Sequence, residues 1–325
     1  MSAARKNRNA IFALKLALGI GLLGVIFSRI QIRDVAAQIH SANVGYLLLA
    51  VVFQLIAKVI WTSRWQTVLK LNDIHRGFWE LFGIIHIGLF FNNFLPSSVG
   101  GDAIRGYYAS NSRDGLAKSY GSLIIERTMG LLALALMVVV AVSYAILDGT
   151  LQSSDVMLMV AGVGSLVLFA FGALLLFWDG WHRLLFVVAK EFPKVSNILA
   201  DLSASLKTFR RANGYSQIMV VLSSMALQVV AVCFYLACAR SLGISTPTVL
   251  FFVIIPTAIV IAMLPISLNG LGVRETALIA LLVRQGVDET QVGAFAILAL
   301  AISTAFSLVG GIVYIFWRPP HIPGV

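Results

Sequence analysis

Two short stretches of the sequence combine residue types that bind anions, and they recur with the same spacing. Residues 95–105 read LPSSVGGDAIR, and residues 264–274 read LPISLNGLGVR. Leucine, proline, serine, glycine and arginine hold the same places in both. A proline ends or kinks a helix, glycines allow tight turns, and the freed amide groups can face an anion. The structural residues of the two motifs are Pro96, Gly100, Gly101, Pro265, Gly270 and Gly272.

Each motif ends in an arginine, Arg105 or Arg274, whose planar and always charged guanidinium suits a phosphate or a carboxylate. We expect these two side chains to bind an anionic headgroup. Asp102 lies shortly before Arg105, and Glu275 adjoins Arg274. We expect these carboxylates to tune or release the ligand. A structural salt bridge is the alternative role for each arginine.

Three further polar residues are candidates for the same site. Glu126 and Arg127 lie inside an apolar segment, where charges are costly and tend to mark functional pathways, with a packing ion pair as the alternative. Asn93, like its neighbour Asn92, precedes the first motif and is expected to cap broken backbone or line a cavity. Cys233 and Cys238 do not share a helical face. Since the chain has no histidine cluster and no acidic pair with metal-ligand spacing, we expect no enzyme, no catalytic residue, no metal and no cofactor.

The composition places these residues in a membrane protein. Hydrophobic residues make up 59% of the chain and charged residues 12%, against roughly 25% charged residues in a soluble domain. Several apolar runs reach the ~20 residues that cross a bilayer core, and they lack the polar face of a soluble helix. The net charge of +10 indicates basic loops beside anionic lipid and no nucleic-acid partner.

The sequence therefore predicts an all-α integral membrane protein with about 6–8 transmembrane helices. Two amphipathic stretches, 29–42 and 179–213, are expected to lie in the membrane interface. Lys58, placed near the end of its segment, is expected to extend toward the interface. The candidate membrane segments lie near 10–28, 43–62, 77–95, 119–147, 156–178, 215–239, 248–265 and 291–317.

Lysines and arginines predict the topology, because they concentrate in cytoplasmic loops. The amino terminus is basic and is expected in the cytoplasm, with the chain in the cell inner (plasma) membrane. The loops 63–76, which contains Arg64, and 96–118 are both basic and are separated by one apolar run, 77–95. One run between two loops on the same side does not span. We therefore predict a re-entrant, broken-helix hairpin at the first motif.

The order of segments repeats in the second half of the chain. The sequence predicts a first membrane repeat at residues 1–155 and a second at residues 156–325, each containing one motif. Each half would have three true spans. Because an odd number of crossings leaves the chain on the opposite side of the membrane, the second repeat would be inverted relative to the first. The alternative is eight full spans, four in each half, as a parallel repeat.

The motifs also resemble those of the lysylphosphatidylglycerol synthase transmembrane region family, a group of flippase-like membrane proteins. The resemblance lies in NNFLPSSVGGDAIR (92–105), ERTMG (126–130) and PISLNGLGVRE (265–275). It implies a module that moves a lipid across the bilayer, followed in the best-known relatives by a soluble aminoacyltransferase domain that we expect to be absent here. Other members resemble partners of polyprenyl-linked sugar pathways. The resemblance implies polar motif residues at Asp102, Arg105, Glu126, Arg127, Arg274 and Glu275.

These observations predict a flippase-like transporter of an anionic phospholipid or a polyprenyl-phosphate-linked lipid. The predicted partners are membrane lipids. One alternative is a non-transporting accessory subunit of a lipid synthase or glycosyltransferase, which would co-purify with that enzyme. Another is a membrane-embedded transferase, which would need a nucleophile, a base or a metal.

Overall fold

The computed structural model of the chain describes residues 32–93, 99–110, 113–151, 155–177, 207–263 and 270–317, together with residues 21, 204 and 267. Within these ranges the regular structure is helical and no residue lies in a β-strand. In chain order the helices are α1 (Ile32–His40), α2 (Val44–Leu71), α3 (Phe78–Asn92), α4 (Val99–Ala109), α5 (Arg113–Leu147), α6 (Val156–Phe177), α7 (Gly214–Ser241), α8 (Thr248–Met263), α9 (Val273–Val283) and α10 (Glu289–Phe316).

Four of the described helices are long and apolar enough to cross a membrane: α2, residues Gly115–Leu147 of α5, α7 and α10. Helix α3, residues Leu158–Gly172 of α6 and helix α8 are shorter and also apolar. The 28 residues of α2 extend about 42 Å, more than the hydrocarbon core of about 30 Å. The prediction of an all-α, multi-pass integral membrane protein is confirmed.

Several sequence predictions remain predictions. The number of spans, the re-entrant hairpins, the two repeats and the side on which the amino terminus lies are not decided by these helices. The candidate span 10–28, most of the amphipathic stretch 179–213, and the motif prolines Pro96 and Pro265 lie outside the described residues.

Two helix boundaries differ from the sequence prediction, and both differences involve buried charge. Helix α2 continues to Leu71, so Arg64 lies in the helix and not in a loop. The segment 96–118 is largely helical, since α4 and the start of α5 fall within it. The carboxylate of Glu126 neutralises Arg64, which removes the need for that charge to reach water.

The longer α2 places Lys58 farther from a helix end than the sequence predicted. Lys58 lies near the middle of the helix and not near its end. Each end of α2 is about 20 Å away at 1.5 Å per residue, beyond the reach of one side chain. The ammonium group of Lys58 therefore does not reach either end of α2, and its extension toward the membrane interface stays a prediction.

Helix lengths recur in the same order after residues 43 and 213. Helices α2, α3 and α4 have 28, 15 and 11 residues, and α7, α8 and α9 have 28, 16 and 11. Both 28-residue helices begin at an asparagine cap. The Asn43 side chain accepts a hydrogen bond from the Gly45 amide at 2.9 Å, and Asn213 accepts one from Ser216 at 2.8 Å.

The packing of these helices is also reciprocal. Helix α2 packs along α7 in the most extensive helix contact of the described chain. The short helix α3 packs against the long helix α10, and the short helix α8 packs against the long helix α5. Each motif helix folds back on the short helix before it, α4 on α3 and α9 on α8.

Glycine allows the close approach of α3 and α10. A Cβ atom at Gly310 would overlap the backbone carbonyl of His86 and lie 2.9 Å from the Ile87 nitrogen. Backbone atoms in the middle of a packed helix do not move aside as a flexible side chain would. Gly310 therefore fixes how closely the two helices approach.

We expect Gly310→Ala to destabilise the protein by about 1–3 kcal/mol, because the added methyl group overpacks this contact. Gly164→Ala is the matched control, since it also lies in a helix and has open space around its Cβ position. The measurement is the free energy of unfolding of the detergent-solubilised protein. Equal stability of the two variants would contradict this account of the α3–α10 contact.

Candidate functional site

A buried carboxylate, Glu126 of α5, joins three helices in the first half of the chain. Its Oε2 accepts a hydrogen bond from Arg105 Nη2 of α4 at 2.7 Å. Its Oε1 accepts one from Arg64 Nη2 of α2 at 3.1 Å and another from the indole N–H of Trp61. The side chains of Arg64, Arg105 and Glu126 are each 5% exposed. We call these residues the Glu126 cluster.

Arg105 connects this cluster to a more exposed ion pair. Its Nη1 donates to Asp102 Oδ1 at 3.0 Å, and the other carboxylate oxygen of Asp102 pairs with Arg127. Asp102 is 13% exposed and Arg127 is 41% exposed. A continuous series of ion pairs therefore runs from the surface of α5 to the buried Glu126.

The guanidinium group of Arg105 also lies against two indole rings. Its central carbon is 4.3 Å from the Trp65 ring centroid and 4.9 Å from that of Trp61. Trp65 is fixed in turn by the hydrogen bond from its N–H to Ser122 Oγ at 3.1 Å. A Cβ atom at Gly88 would lie 2.7 Å from Arg105 Cγ, so the absence of a side chain there makes room for the arginine. Cation–π contacts of this kind are strongest where water is excluded.

The start of α4 differs from the sequence expectation of free amide groups. The Gly101 amide donates to Asn92 Oδ1 at 2.7 Å, so it already has a partner. Gly101 also packs directly against the Gly88 carbonyl. Asn93 is the C-cap residue of α3, where its backbone N–H donates to the Phe90 carbonyl, and its side-chain amide donates to Ser307 Oγ of α10 at 2.7 Å. Asn92 therefore caps the start of α4, whereas Asn93 ends α3 and links it to α10.

The second motif has a different geometry. Arg274 donates through Nε and Nη2 to Glu275 Oε1, at 2.9 and 2.7 Å. The other oxygen of Glu275 accepts the Gly272 amide at 2.8 Å. Gly270 and Gly272 have φ angles of 74° and 78°, a conformation that favours glycine. A Cβ atom at Gly270 would also lie 2.7 Å from that of Ala262.

The structure thus brings most of the predicted residues into two separate groups. Asp102, Arg105, Glu126 and Arg127 lie together, and Arg274 pairs with Glu275. Among the described residues no ion pair joins the two groups. Within the same part of the chain, no group of three or more histidine, cysteine or acidic side chains could hold a metal ion.

Sequence reasoning missed three members of the first group: Trp61, Arg64 and Trp65. The stretch WTSRW places an arginine between two tryptophans, and residues three or four positions apart share a helical face. This pattern inside an apolar helix could have indicated a cation–π site. It was missed because Arg64 was assigned to a cytoplasmic loop.

Comparison with known proteins matches residues 12–311 to the family described as the lysylphosphatidylglycerol synthase TM region. The chain belongs to this family. The match covers both motifs and all the helices from α1 to α9. The family resemblance predicted from the motif residues is therefore confirmed.

Three archaeal relatives are similar to this chain and are named UPF0104 membrane proteins. One from Methanothermobacter thermautotrophicus is 24% identical over 96% of this chain and 95% of its own length. PH1989 from Pyrococcus horikoshii is 25% identical over 48% of this chain, and MJ1595 from Methanocaldococcus jannaschii is 27% identical over 38%. The matches span 46% and 38% of the lengths of these last two relatives.

We expect Glu126→Gln to destabilise the protein by about 3–5 kcal/mol, because it leaves the buried Arg64 without a counter-charge and removes one of the two carboxylates that pair with Arg105. The measurement is the free energy of unfolding in mixed detergent micelles. The matched control is Lys118→Ala, which breaks an exposed pair with Asp73 and should cost at most about 1 kcal/mol. If Glu126→Gln costs no more than the control, the ion pairs do not hold the three helices together.

Proposed function

We propose that this protein translocates an anionic lipid across the membrane, with the lipid headgroup bound at the Glu126 cluster. The observation that carries the proposal is a buried excess of positive charge at this position. Arg64 and Arg105 share Glu126, and Arg105 and Arg127 share Asp102, so three guanidinium groups face two carboxylates. Charge is costly among membrane helices, so an unbalanced cation there favours an anionic ligand.

The arginines also retain hydrogen-bonding capacity. The Nε atoms of Arg64 and Arg105 are buried and have no hydrogen-bond partner among the described residues. Leaving a buried donor unpaired costs about 1–3 kcal/mol. A phosphate group has several strong acceptor oxygens and would satisfy such donors better than the apolar tail of a lipid. Anionic phospholipids and polyprenyl-phosphate-linked lipids both carry a phosphate group.

The ion pairs between the exposed Arg127 and the buried Glu126 suggest how a headgroup enters. Asp102 bridges Arg127 and Arg105, so each arginine has a carboxylate partner before the lipid arrives. An incoming phosphate would replace the carboxylate at Arg127 first and then at Arg105. The carboxylates would rebind the arginines when the lipid leaves.

We further propose that residues 1–155 and 156–325 are inverted repeats. The recurring helix lengths, the asparagine caps and the reciprocal packing of α3 with α10 and α8 with α5 support this proposal. Inverted repeats occur in many transporters, which place the substrate site where the repeats meet. The helices α2 and α7 that carry or contact the Glu126 cluster pack along one another, and Ser224 of α7 accepts a hydrogen bond from Arg64 at 3.2 Å.

The two proposed repeats do not carry the same charges. Aligning the starts of α2 and α7 places Phe234 opposite Arg64 and Tyr235 opposite Trp65. Aligning the two motifs places Phe295 opposite Glu126. The Tyr235 and Phe295 rings form an edge-to-face contact with centroids 6.1 Å apart. Since aromatic packing replaces the ion pairs, we assign the main headgroup site to the first repeat and a supporting role to Arg274.

Membership of the family is consistent with a lipid substrate, because its description names the membrane region of a protein that synthesises a lipid. The archaeal relatives are named only as membrane proteins. The substrate is therefore proposed from the charge and hydrogen-bonding capacity of the cluster.

The first prediction concerns bound lipid. We expect Arg105→Ala to lower the amount of anionic lipid that co-purifies in mild detergent by about tenfold or more, since a charge-assisted contact to phosphate is lost. Arg274→Ala should lower it less, because Glu275 already neutralises Arg274. The measurement is mass spectrometry of the bound lipids, with protein folding checked by size-exclusion chromatography.

Arg105→Lys is the matched control, since it keeps the charge but loses the planar guanidinium. It should retain part of the bound lipid. If all variants and the wild-type protein carry the same bulk lipid mixture, the arginines are structural. Co-purification of a lipid synthase or glycosyltransferase would then favour an accessory role.

The second prediction concerns the inverted repeat. His75 and Ser245 are exposed and occupy equivalent places in the loops after α2 and α7. In a background lacking Cys233 and Cys238, we expect His75→Cys and Ser245→Cys to react with a membrane-impermeant thiol reagent from opposite sides of the membrane. Labelling of both positions from the same side would support a parallel repeat and contradict the inverted one.

A further inference from the structure

A lysine in the middle of α2, Lys58, has no counter-charge among the residues that the structure describes. Lys58 forms no ion pair with any acidic side chain in the described parts of the chain. Its Nζ atom lies 5.3 Å from the centroid of the Trp61 ring. In an apolar helix long enough to cross a membrane, an unpaired ammonium group is costly and tends to mark a ligand or ion pathway.

Lys58 is partly buried and lies near polar residues of other helices. It lies within electrostatic range of His86, a buried residue of α3. It also shares a helical face with Gln54, whose side-chain amide donates to Ser303 Oγ of α10 at 3.2 Å. The polar face of α2 therefore continues from the Glu126 cluster toward α3 and α10.

Trp61 joins Lys58 to the Glu126 cluster. The same indole ring lies 4.9 Å from the guanidinium carbon of Arg105, and its N–H donates to Glu126. Lys58, Arg64, Arg105 and Arg127 bring four positive charges to this region, where Glu126 and Asp102 supply two negative charges. Two positive charges therefore remain without a carboxylate.

We propose that Lys58, Trp61 and Arg105 form a phosphate-binding subsite in which the Lys58 ammonium group contacts the ligand directly. This inference rests on the proposed function and deepens it, because it adds a residue that neither motif contains. An ammonium group is a compact point charge suited to a phosphate oxygen. The Trp61 ring holds both cations in place and excludes water from one side.

The proposed subsite selects between lipids by the net charge of their headgroups. A phosphodiester headgroup such as phosphatidylglycerol has a net negative charge, whereas the choline group of phosphatidylcholine cancels that charge. The Lys58 ammonium group is attracted by the net negative charge of phosphatidylglycerol and is repelled by the choline group of phosphatidylcholine. The subsite therefore favours a headgroup whose phosphate is not neutralised by its own cation.

The test measures competition between these two lipids. The full-length protein in mild detergent is incubated with equal amounts of phosphatidylglycerol and phosphatidylcholine, and native mass spectrometry gives the ratio of the bound lipids. We expect Lys58→Met to lower the phosphatidylglycerol ratio by about tenfold relative to the wild-type protein. Lys58→Arg should remain within about twofold, because it retains the charge.

Lys70→Met is the matched control. Lys70 lies in the last turn of the same helix and is exposed, so its replacement removes one positive charge outside the proposed subsite. It should leave the lipid ratio unchanged. The free energy of unfolding of each variant, measured in the same detergent, confirms that the compared proteins are folded.

The outcomes separate this inference from the proposed function. One outcome is that the wild-type protein prefers phosphatidylglycerol, that Arg105→Ala loses this preference and that Lys58→Met keeps it. In that case the Lys58 subsite is wrong, whereas the proposed anionic-lipid site stands. If the wild-type protein shows no preference, the proposed function itself fails.

Added inorganic phosphate distinguishes the source of the bound group. Displacement of phosphatidylglycerol by inorganic phosphate in the wild-type protein, but not in Lys58→Met, supports a subsite that accepts free phosphate as well. Preference for phosphatidylglycerol that persists in inorganic phosphate supports a subsite that requires the phosphate of a lipid.

Discussion

The arrangement of the first half of the chain depends on the neutralisation of one buried carboxylate, Glu126. An uncompensated carboxylate at this depth would be protonated or would draw water into the membrane. Arg64 and Arg105 reach it from two other helices, so the charge is satisfied only when α2, α4 and α5 are assembled. The close contact at Gly88 and the cap from Asn92 contribute to this assembly, because both position α4, the helix that carries Arg105.

The balance of charge separates the two motifs more clearly than their sequences do. Arg274 and Glu275 pair one to one, and the remaining carboxylate oxygen accepts the Gly272 amide, so that network is closed. The Glu126 cluster has more guanidinium groups than carboxylates and leaves buried donors unsatisfied. A purely structural network gains nothing from unsatisfied donors, whereas a binding site needs them for its ligand.

The sequence predicted the features that depend on local composition and missed those that depend on distant pairing. Apolar runs and the repeated motif were enough to predict a helical membrane protein and to select Arg105 and Glu126. Arg64 was missed because a basic residue near the end of an apolar run indicates a loop unless its partner is known, and that partner is 62 residues away. Asn92 and Asn93 were both expected to cap broken backbone or to line a cavity. Their side chains take different partners, Gly101 and Ser307, because one residue turns a helical side chain by about 100°.

A site that moves a charged headgroup must remain stable after the headgroup leaves. In the proposed transport cycle the carboxylates of Asp102 and Glu126, which pair with Arg105, would meet this requirement, because release of the lipid would not leave a bare guanidinium group in the membrane. The same pairing would weaken lipid binding, because the phosphate would have to displace a carboxylate. Transport requires this compromise: a site with no internal counter-ions would bind the headgroup too tightly to release it, and a neutral site would not draw it into the membrane.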